Sequence, residues 1–412
     1  MVSLLNAVFW ISAGCLAYIY AGYPLFLWSI GAFRRVRFRR DYDHLPGISV
    51  LISARNEEKD IAWKVAETLA WDYPRDRLEV LVASDASEDR TEEILRSIPD
   101  SRLRWIANRR RLGKNLSLNK LCALASGELL FFTDANSHIP RNSLHSITRY
   151  FADCRVGCVT SCERPECAAG DGGMSHGGGL YQRYESWLNS LEHRIGSVLT
   201  CDGSIFCIRR DLFTPLDPDL ANDLELPIRI GALGYATLYE ASACSIERAT
   251  TSAREEFRRR RRICAQGFLG AWRLRGVLRG VRAWQFVSRK LLRWFALIPI
   301  VLVTVSCICL AGRSRFYEAL LVPQLCFYGF ALAGWWSNEF RRRTSSLTSI
   351  PFFFLLVHGA ALLGILQTCW GRRFSLWESA ALTRGPAAVA DPEDSSPVSE
   401  GPGGPADAEF GR

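Results

Sequence analysis

The first 33 residues contain no charged side chain. The run "LLNAVFWISAGCLAYIYAGYPLFLW" within them is long enough to cross a bilayer core, which takes about 20 apolar residues in a helix. A secretory signal has a basic start and a shorter apolar centre, so this stretch reads as a retained anchor. Two glycine fingerprints are also missing. Without G-x-x-x-x-G-K-[ST] there is no P-loop, and without G-x-G-x-x-G a dinucleotide oxidoreductase is disfavoured. The fourteen cysteines include no C-x-x-C pair, which disfavours a zinc cluster. Several, such as Cys307 and Cys309, fall in apolar runs. Thiols of a cytoplasmic domain stay reduced, so these are expected as small core residues. No nucleic-acid recognition motif accompanies the net charge of +9. The excess of arginine therefore points to an anionic lipid surface, not to a nucleic-acid partner.

The charges that are present order the chain. "RRVRFRR", Arg34 to Arg40, follows the uncharged run directly. Positive charge beside a span favours the cytoplasmic side, so the residues that follow are expected there. Three further apolar stretches lie late in the chain: "WFALIPIVLVTVSCICLAG" from Trp294, "FYEALLVPQLCFYGFALAGWW" with Glu318, and "IPFFFLLVHGAALLGILQTCW" with His358. Arg341, Arg342 and Arg343 between the last two fit a second cytoplasmic loop. The expectation is a multi-pass protein of the plasma (inner) membrane with one N-terminal and about three C-terminal transmembrane helices. The final stretch has a competing reading as a re-entrant or interfacial segment, because Gly371-Arg372-Arg373 would otherwise face outward. Residues 1–33 are then the anchor and 41–285 a cytoplasmic domain. Residues 286–384 hold an interfacial segment and the C-terminal spans, and 385–412, rich in Pro, Gly, Ser and acids, form a disordered tail.

Within the cytoplasmic part, apolar runs alternate with amphipathic ones. "GISVLISARNEE", "LEVLVASDASED", "LRWIANRR" and "ELLFFTDAN" read as strands. "EKDIAWKVAETLAWDYP", "DRTEEILRSI" and "NLSLNKLCALAS" read as the helices between them. Such alternation argues for an α/β fold with a mostly parallel sheet flanked by helices. It places Arg55-Asn56-Glu57, Asp85 and Asp134 at successive strand ends, on the rim where open α/β sheets bind ligands. Each polar tip alone is an ordinary turn, but three acidic tips on one rim suggest a metal-phosphate site. Gly113-Lys114 joins that rim, with a glycine for the turn and a lysine to reach a phosphate. "GDGGMSHGGG", Gly170 to Gly179, reads as a flexible connection whose mobility would suit substrate gating. A helix follows, with Glu185 and Glu192 on one face, where a solvated face and a functional one are equally expected. "LTCDGSIFCIRRDLF" is a strand or hairpin around Gly203. Asn222-Asp223 opens another helix, and an aspartate there is also an ordinary N-cap.

Taken in order, these segments resemble the membrane-integrated family 2 glycosyltransferases of GT-A fold, such as cellulose, hyaluronan, chitin and poly-N-acetylglucosamine synthases. The resemblance covers about residues 45 to 295. It implies that "SARNEE" (Arg55, Asn56, Glu57) and "SDASED" (Asp85) contact the nucleotide. "TDAN" (Asp134, Asn136) corresponds to the D-x-D that holds Mg²⁺ or Mn²⁺ against a diphosphate. "GSIFCIRRDLF" with Gly203 resembles the acceptor segment, and "NDLELPIR" the motif whose Asp, here Asp223, is the catalytic base. "RRRRICAQG" stands near the Q-x-x-R-W of processive members, with Arg259 and Ile263 in place of Gln and Trp and Arg262 matching the Arg. Asn136 replaces the second Asp of D-x-D, and Asn222 the Glu before the base. Lys114, Arg259 and Arg262 would add positive charge at the diphosphate.

The implied function is inverting transfer from a nucleotide-diphosphate sugar to a glycan or lipid-linked acceptor, in cell-envelope or extracellular polysaccharide synthesis, with membrane lipid and an export partner as further partners. One alternative is a single addition to a lipid such as a polyprenyl phosphate or glycolipid, since the processive motif is incomplete. A catalytically silent scaffold is the other, although Asp85, Asp134 and Asp223 are all retained.

Overall fold

The structure, a computed structural model, describes residues 1–166, 173–248, 252–339 and 346–374. Gly170 to Gly172, Arg341 to Arg343 and the tail 385–412 lie outside the described residues. Helices α1 (Val2–Ala17) and α2 (Tyr23–Phe33) are joined through a π-helical turn into one apolar rod of 32 residues. Strand β1 (Ile48–Ala54) follows. Its residues alternate between two cores: Val50 and Ile52 are buried on one face and Leu51 on the other. A strand covered on both faces is what a continuous Val/Ile/Leu run encodes.

The next elements repeat the β-α unit: α3 (Ile61–Leu69), β2 (Leu78–Ser84), α4 (Thr91–Ser97), β3 (Leu103–Ala107), α5 (Lys114–Leu124) and β4 (Leu129–Asp134). Helix α3 is shorter than its sequence pattern. Trp71 and Tyr73 leave it to enter the core, where they donate to the carbonyls of Ile139 (3.2 Å) and Pro46 (2.6 Å). Then come α6 (Ser143–Thr148), β5 (Val156–Thr160), β6 (Glu163–Glu166), α7 (Gly173–Ile195), β7 (Ile205–Arg209), α8 (Asn222–Ala232), β8 (Ala236–Tyr239), β9 (Ser245–Arg248) and α9 (Ala253–Arg273). The main sheet runs β3-β2-β1-β4-β7-β5-β8, and β6 pairs with β9 in a small second sheet. The pairs β3/β2, β2/β1, β1/β4 and β5/β8 are parallel, whereas β7 is antiparallel to both its neighbours. From β1 the chain steps outward to β2 and β3 and then returns to β1's other side at β4. Order reverses there, and the crevice of such a sheet opens beyond the strand ends at that point.

Three parts of the sequence reading are corrected. The glycine-rich stretch is not a loose connection over its described part, because Gly173 to Gly179 form the first turns of α7. The reason is close packing: a Cβ at Gly177 would lie 2.6 Å from the Cβ of Phe353, in the late apolar helix Ser346–Cys369. Glu185 and Glu192 are not on a solvated face. Both are salt-bridged to Arg289 at 2.8 Å, and Glu192 is fully buried. Cys162 and Cys244 are joined in a disulfide instead of remaining thiols, since neighbouring strand ends bring their Cα atoms to 4.8 Å. Other cysteines, including Cys158, Cys207 and Cys264, are buried as small core residues.

Beyond α9 come α10 (Gly280–Phe286), the π-helical turn Val287–Leu291, α11 (Leu292–Trp294) and α12 (Leu297–Leu310). Helix α12 has 14 residues, about 21 Å at 1.5 Å per residue, short of a bilayer core. It reaches spanning length only with the preceding helix, from which it bends by 56°. The expected span from Trp294 is thus half of a bent pair, which makes either a broken span or a re-entrant loop. Helices α13 (Arg315–Glu339) and α14 (Ser346–Cys369) are each long and apolar enough to cross, so the described chain has one N-terminal and two or three C-terminal apolar helices of that kind. Helix α14 packs against α7 and α9, with Gly177 and Gly364 at the close approaches.

That packing gives a direct test. Gly177→Leu should force α7 from α14, cost about 1–3 kcal/mol as overpacking does, and lower the Tm of the detergent-solubilised protein. An unchanged Tm would show that the two helices do not touch there.

Candidate active site

The rim is assembled by carboxylates that act first on the backbone. Asp85, just past β2, accepts hydrogen bonds from the backbone N–H of Leu112 and Gly113, each at 2.8 Å, and from Asn108 Nδ2 at 3.1 Å. These bonds shape the turn before α5, where Gly113 has φ +92°, a conformation that favours glycine. Lys114 therefore leaves the turn toward β4, and its Nζ lies 2.5 Å from Asp134 Oδ1. Asp134 closes β4 beside Ser53 of β1, at the point where strand order reverses.

Arg55, Asn56 and Glu57 bind the neighbouring loop together. Arg55 donates to the carbonyls of Asp85 (3.2 Å) and Ala86 (3.4 Å). Asn56, with φ +52°, accepts from the Glu88 N–H through Oδ1 at 2.8 Å. The Glu57 N–H donates to Thr91 Oγ1, and its side chain is buried. The "TDAN" turn is braced from behind. Ser137 Oγ donates to the Asp134 carbonyl at 2.9 Å, and the buried Lys64 donates to the Ser137 carbonyl at 2.5 Å. Asn136 follows half-buried on the same turn.

Asp223 occupies the second position of α8, whose N-cap is Ala221 without a side-chain cap. The helix-cap alternative for Asp223 therefore falls away, and its carboxylate instead lines a cavity of about 220 Å³. Gly203 lies against it: a Cβ there would sit 3.4 Å from Asp223 Oδ2, so glycine leaves room beside the carboxylate. Burial raises the Asp223 pKa, and nearby Asp134 adds to the effect, while Lys114 and Lys290 oppose it.

The two arginines divide. Arg259 is engaged with Glu163 at 3.0 Å and Glu256 at 3.9 Å. Arg262 feels both Asp134 and Asp223, although burial and then Arg259 bring its pKa down to about 10. Lys114, Asp134, Asp223 and Arg262 are thus one electrostatic group. Arg55, Asn56, Glu57 and Asp85 form the adjoining rim, and Arg259 belongs to the cavity wall.

Sequence reading missed several acids of this region. Asp202, next to Gly203, is pushed up to about 7 by burial and then by Glu163. Glu247 on β9 is raised well above the usual carboxylate range by burial, Glu163 and Asp134, and its Oε1 is buried without a hydrogen-bond partner among the described residues. Mutually repelling carboxylates of this kind favour a cation. Among the described residues no three His, Cys, Asp or Glu side chains are grouped as a metal cage. A divalent cation held by one or two protein oxygens and completed by substrate phosphates needs no such cage. Asp134, with the Asn136 amide, fits that donor set.

A family model described as glycosyltransferase-like family 2 matches residues 46–294, which contain the whole rim, the cavity acids and Lys290. The chain belongs to this family. As a family 2 glycosyltransferase it is an enzyme with the GT-A architecture. A probable glycosyltransferase of Bacillus subtilis, YdaM, is 27% identical over 283 residues, 62% of this chain and 65% of that protein. A β-monoglucosyldiacylglycerol synthase of Synechocystis is 31% identical over 118 residues, 28% of this chain and 25% of the synthase. The chain thus spans less than two thirds of these relatives. The mannosyltransferase PcManGT of Pyrobaculum calidifontis, solved with GDP-Man and Mn²⁺, is similar in fold, with a TM-score of 0.67 at 22% identity. The match covers 88% of this chain and 99% of that one.

Asp223→Asn should lower turnover roughly a hundredfold or more, the usual scale for loss of a general base, with donor affinity nearly unchanged. Because a base works only when ionised, the raised pKa places the acid limb of the wild-type rate profile above the ordinary carboxylate range. Activity should fall as pH drops through that limb, as a pH–rate series will show. Near-normal turnover of the variant would remove Asp223 as the base.

Proposed function

We propose that this family 2 enzyme moves one sugar from a nucleotide-diphosphate donor to a lipid-linked acceptor at the membrane, with inversion. The observation that carries this reading is what lines the cavity. Asp202, Gly203 and Asp223 share it with Phe353 of the apolar helix α14. An acceptor anchored in lipid can reach the base along that path, and the names of the synthases from cyanobacteria agree with glycolipid products. A processive polysaccharide product is the weaker reading, since Arg259 stands in an ion pair where Q-x-x-R-W would place its Gln.

The chemistry follows from the residues. The donor diphosphate lies at the ends of β1, β2 and β4, where Lys114 and Arg262 offset its charge. Asp134 and Asn136 would hold a Mg²⁺ or Mn²⁺ ion, which would supply further charge neutralisation at the leaving diphosphate. Asp223 takes the proton of the attacking hydroxyl as that oxygen bonds to the anomeric carbon. Attack opposite the leaving group inverts that centre. The domain faces the cytoplasm in this reading, because Arg34 to Arg40 follow the N-terminal span and nucleotide sugars are made there.

Membranes containing the protein, given radiolabelled nucleotide sugars, should yield label in the organic phase with one sugar per lipid. Chelation should abolish this, and Mg²⁺ or Mn²⁺ should restore it. A water-soluble polymer as the main product would overturn the lipid-acceptor reading, and full activity under chelation would remove the metal.

A further inference from the structure

Most cations around the cavity are matched within its walls. Arg289 lies between Glu185 and Glu192, Arg259 against Glu163, and Arg260 against Glu256 at 2.6 Å. Lys290 differs. It lines the cavity together with Asp223, yet among the described residues its ammonium makes no hydrogen bond or ion pair. Its backbone lies in the π-helical turn Val287–Leu291, a widened helical turn that frequently occurs at functional sites. Confining an unpaired ammonium in a narrow cavity is costly, and an incoming anion offsets that cost.

The donor diphosphate is not the anion that fits. The donor side already has Lys114 on Asp134, with Arg262 coupled to the same carboxylate. The carboxylates that act most strongly on Lys290 are Glu185 and then Asp223, in the cavity that Phe353 also lines. Lys290 therefore stands on the acceptor side of the base.

We infer that Lys290 holds a phosphate of the lipid acceptor's head group, beside the hydroxyl that Asp223 deprotonates. This rests on the lipid-acceptor reading above and narrows it to a phosphate-bearing lipid. In the step itself the head-group hydroxyl oxygen bonds to the anomeric carbon while the bond from that carbon to the diphosphate oxygen breaks. The hydroxyl proton passes to Asp223, the electron pair leaves with the nucleoside diphosphate, and the lipid phosphate is unchanged. A lysine suits this task as a compact charge that binds phosphate without a fixed fork geometry.

The full chain in phosphatidylcholine vesicles tests this, with either diacylglycerol or phosphatidylglycerol as acceptor and the radiolabelled donor that the membrane screen selects. Phosphatidylglycerol carries both a phosphate and free hydroxyls, and diacylglycerol only a hydroxyl. Phosphatidylglycerol should be the better acceptor. Lys290→Gln should raise its KM about tenfold or more, the scale of one lost charge-assisted hydrogen bond, with the donor KM nearly unchanged. Lys290→Arg should restore most of the loss, which a merely structural lysine would not predict. Equal use of both lipids with an unaltered acceptor KM in Lys290→Gln would overturn the inference and leave the lipid-acceptor reading standing. The same holds if inorganic phosphate lets diacylglycerol react as well as phosphatidylglycerol, because the site would then take free phosphate. Transfer to water-soluble sugars alone would overturn both.

Discussion

The Arg289 guanidinium, fixed between two carboxylates of one helix, is the interaction on which the rest of the architecture depends. It holds Glu185 and Glu192 of α7 at 2.8 Å each, Arg293 joins Glu185, and Tyr23 of the N-terminal helix donates to Glu192 at 2.5 Å. Burial alone would raise the Glu185 pKa, but Arg293 and Arg289 hold it well below the usual range. Breaking such a buried pair from one side typically costs about 3–5 kcal/mol, because an uncompensated charge remains. The network therefore fixes the N-terminal helix, α7 and the segment after α10 as a single unit. Residues of α7 and of the segment after α10 line the cavity that Asp223 also lines. The unit also sets Lys290, one residue beyond Arg289, facing the same space as Asp223.

At the strand ends the sheet performs a similar service. Asp85 does not act at long range. Its two oxygens order the turn that delivers Lys114 to Asp134, so one carboxylate positions the cation that another requires. Lys64 and Ser137 brace the turn carrying Asp134 and Asn136 from below. The site is thus two rigid halves. One is built on strand ends and suits a diphosphate, and the other is built on helices that continue into the apolar region.

Much of the first half was legible in the sequence. Parallel strands buried on both faces must be apolar throughout and must end in polar residues where the chain turns, so β1, β2 and β4 and their rim residues stood out as segments. The N-terminal apolar helix was equally plain, because a long uncharged run has few other uses. The second half was not legible, and the reasons are physical. Glu185 and Glu192 look like a solvated helix face until Arg289 arrives from far along the chain. Glycines at 177 to 179 signal a loop locally, yet in α7 Gly177 permits close approach of Phe353. The apolar run after Trp294 hides a 56° bend, since hydropathy reports composition and not direction. Lys290 sits among ordinary basic residues in "VSRKLLRW", and only the ion pairs that Arg289 makes with Glu185 and Glu192 distinguish the two in the folded chain.

In the proposed reaction, a single displacement, Asp223 activates an acceptor hydroxyl against a donor held at the strand ends. The anomeric configuration of the product, determined by NMR on lipid glycosylated from an α-linked nucleotide sugar, tests it most directly. A β-linked sugar is the expected result, because one in-line attack inverts the anomeric centre. An α-linked product would require two displacements or a different face of attack, and would contradict the assignment of Asp223 as the base of a direct transfer.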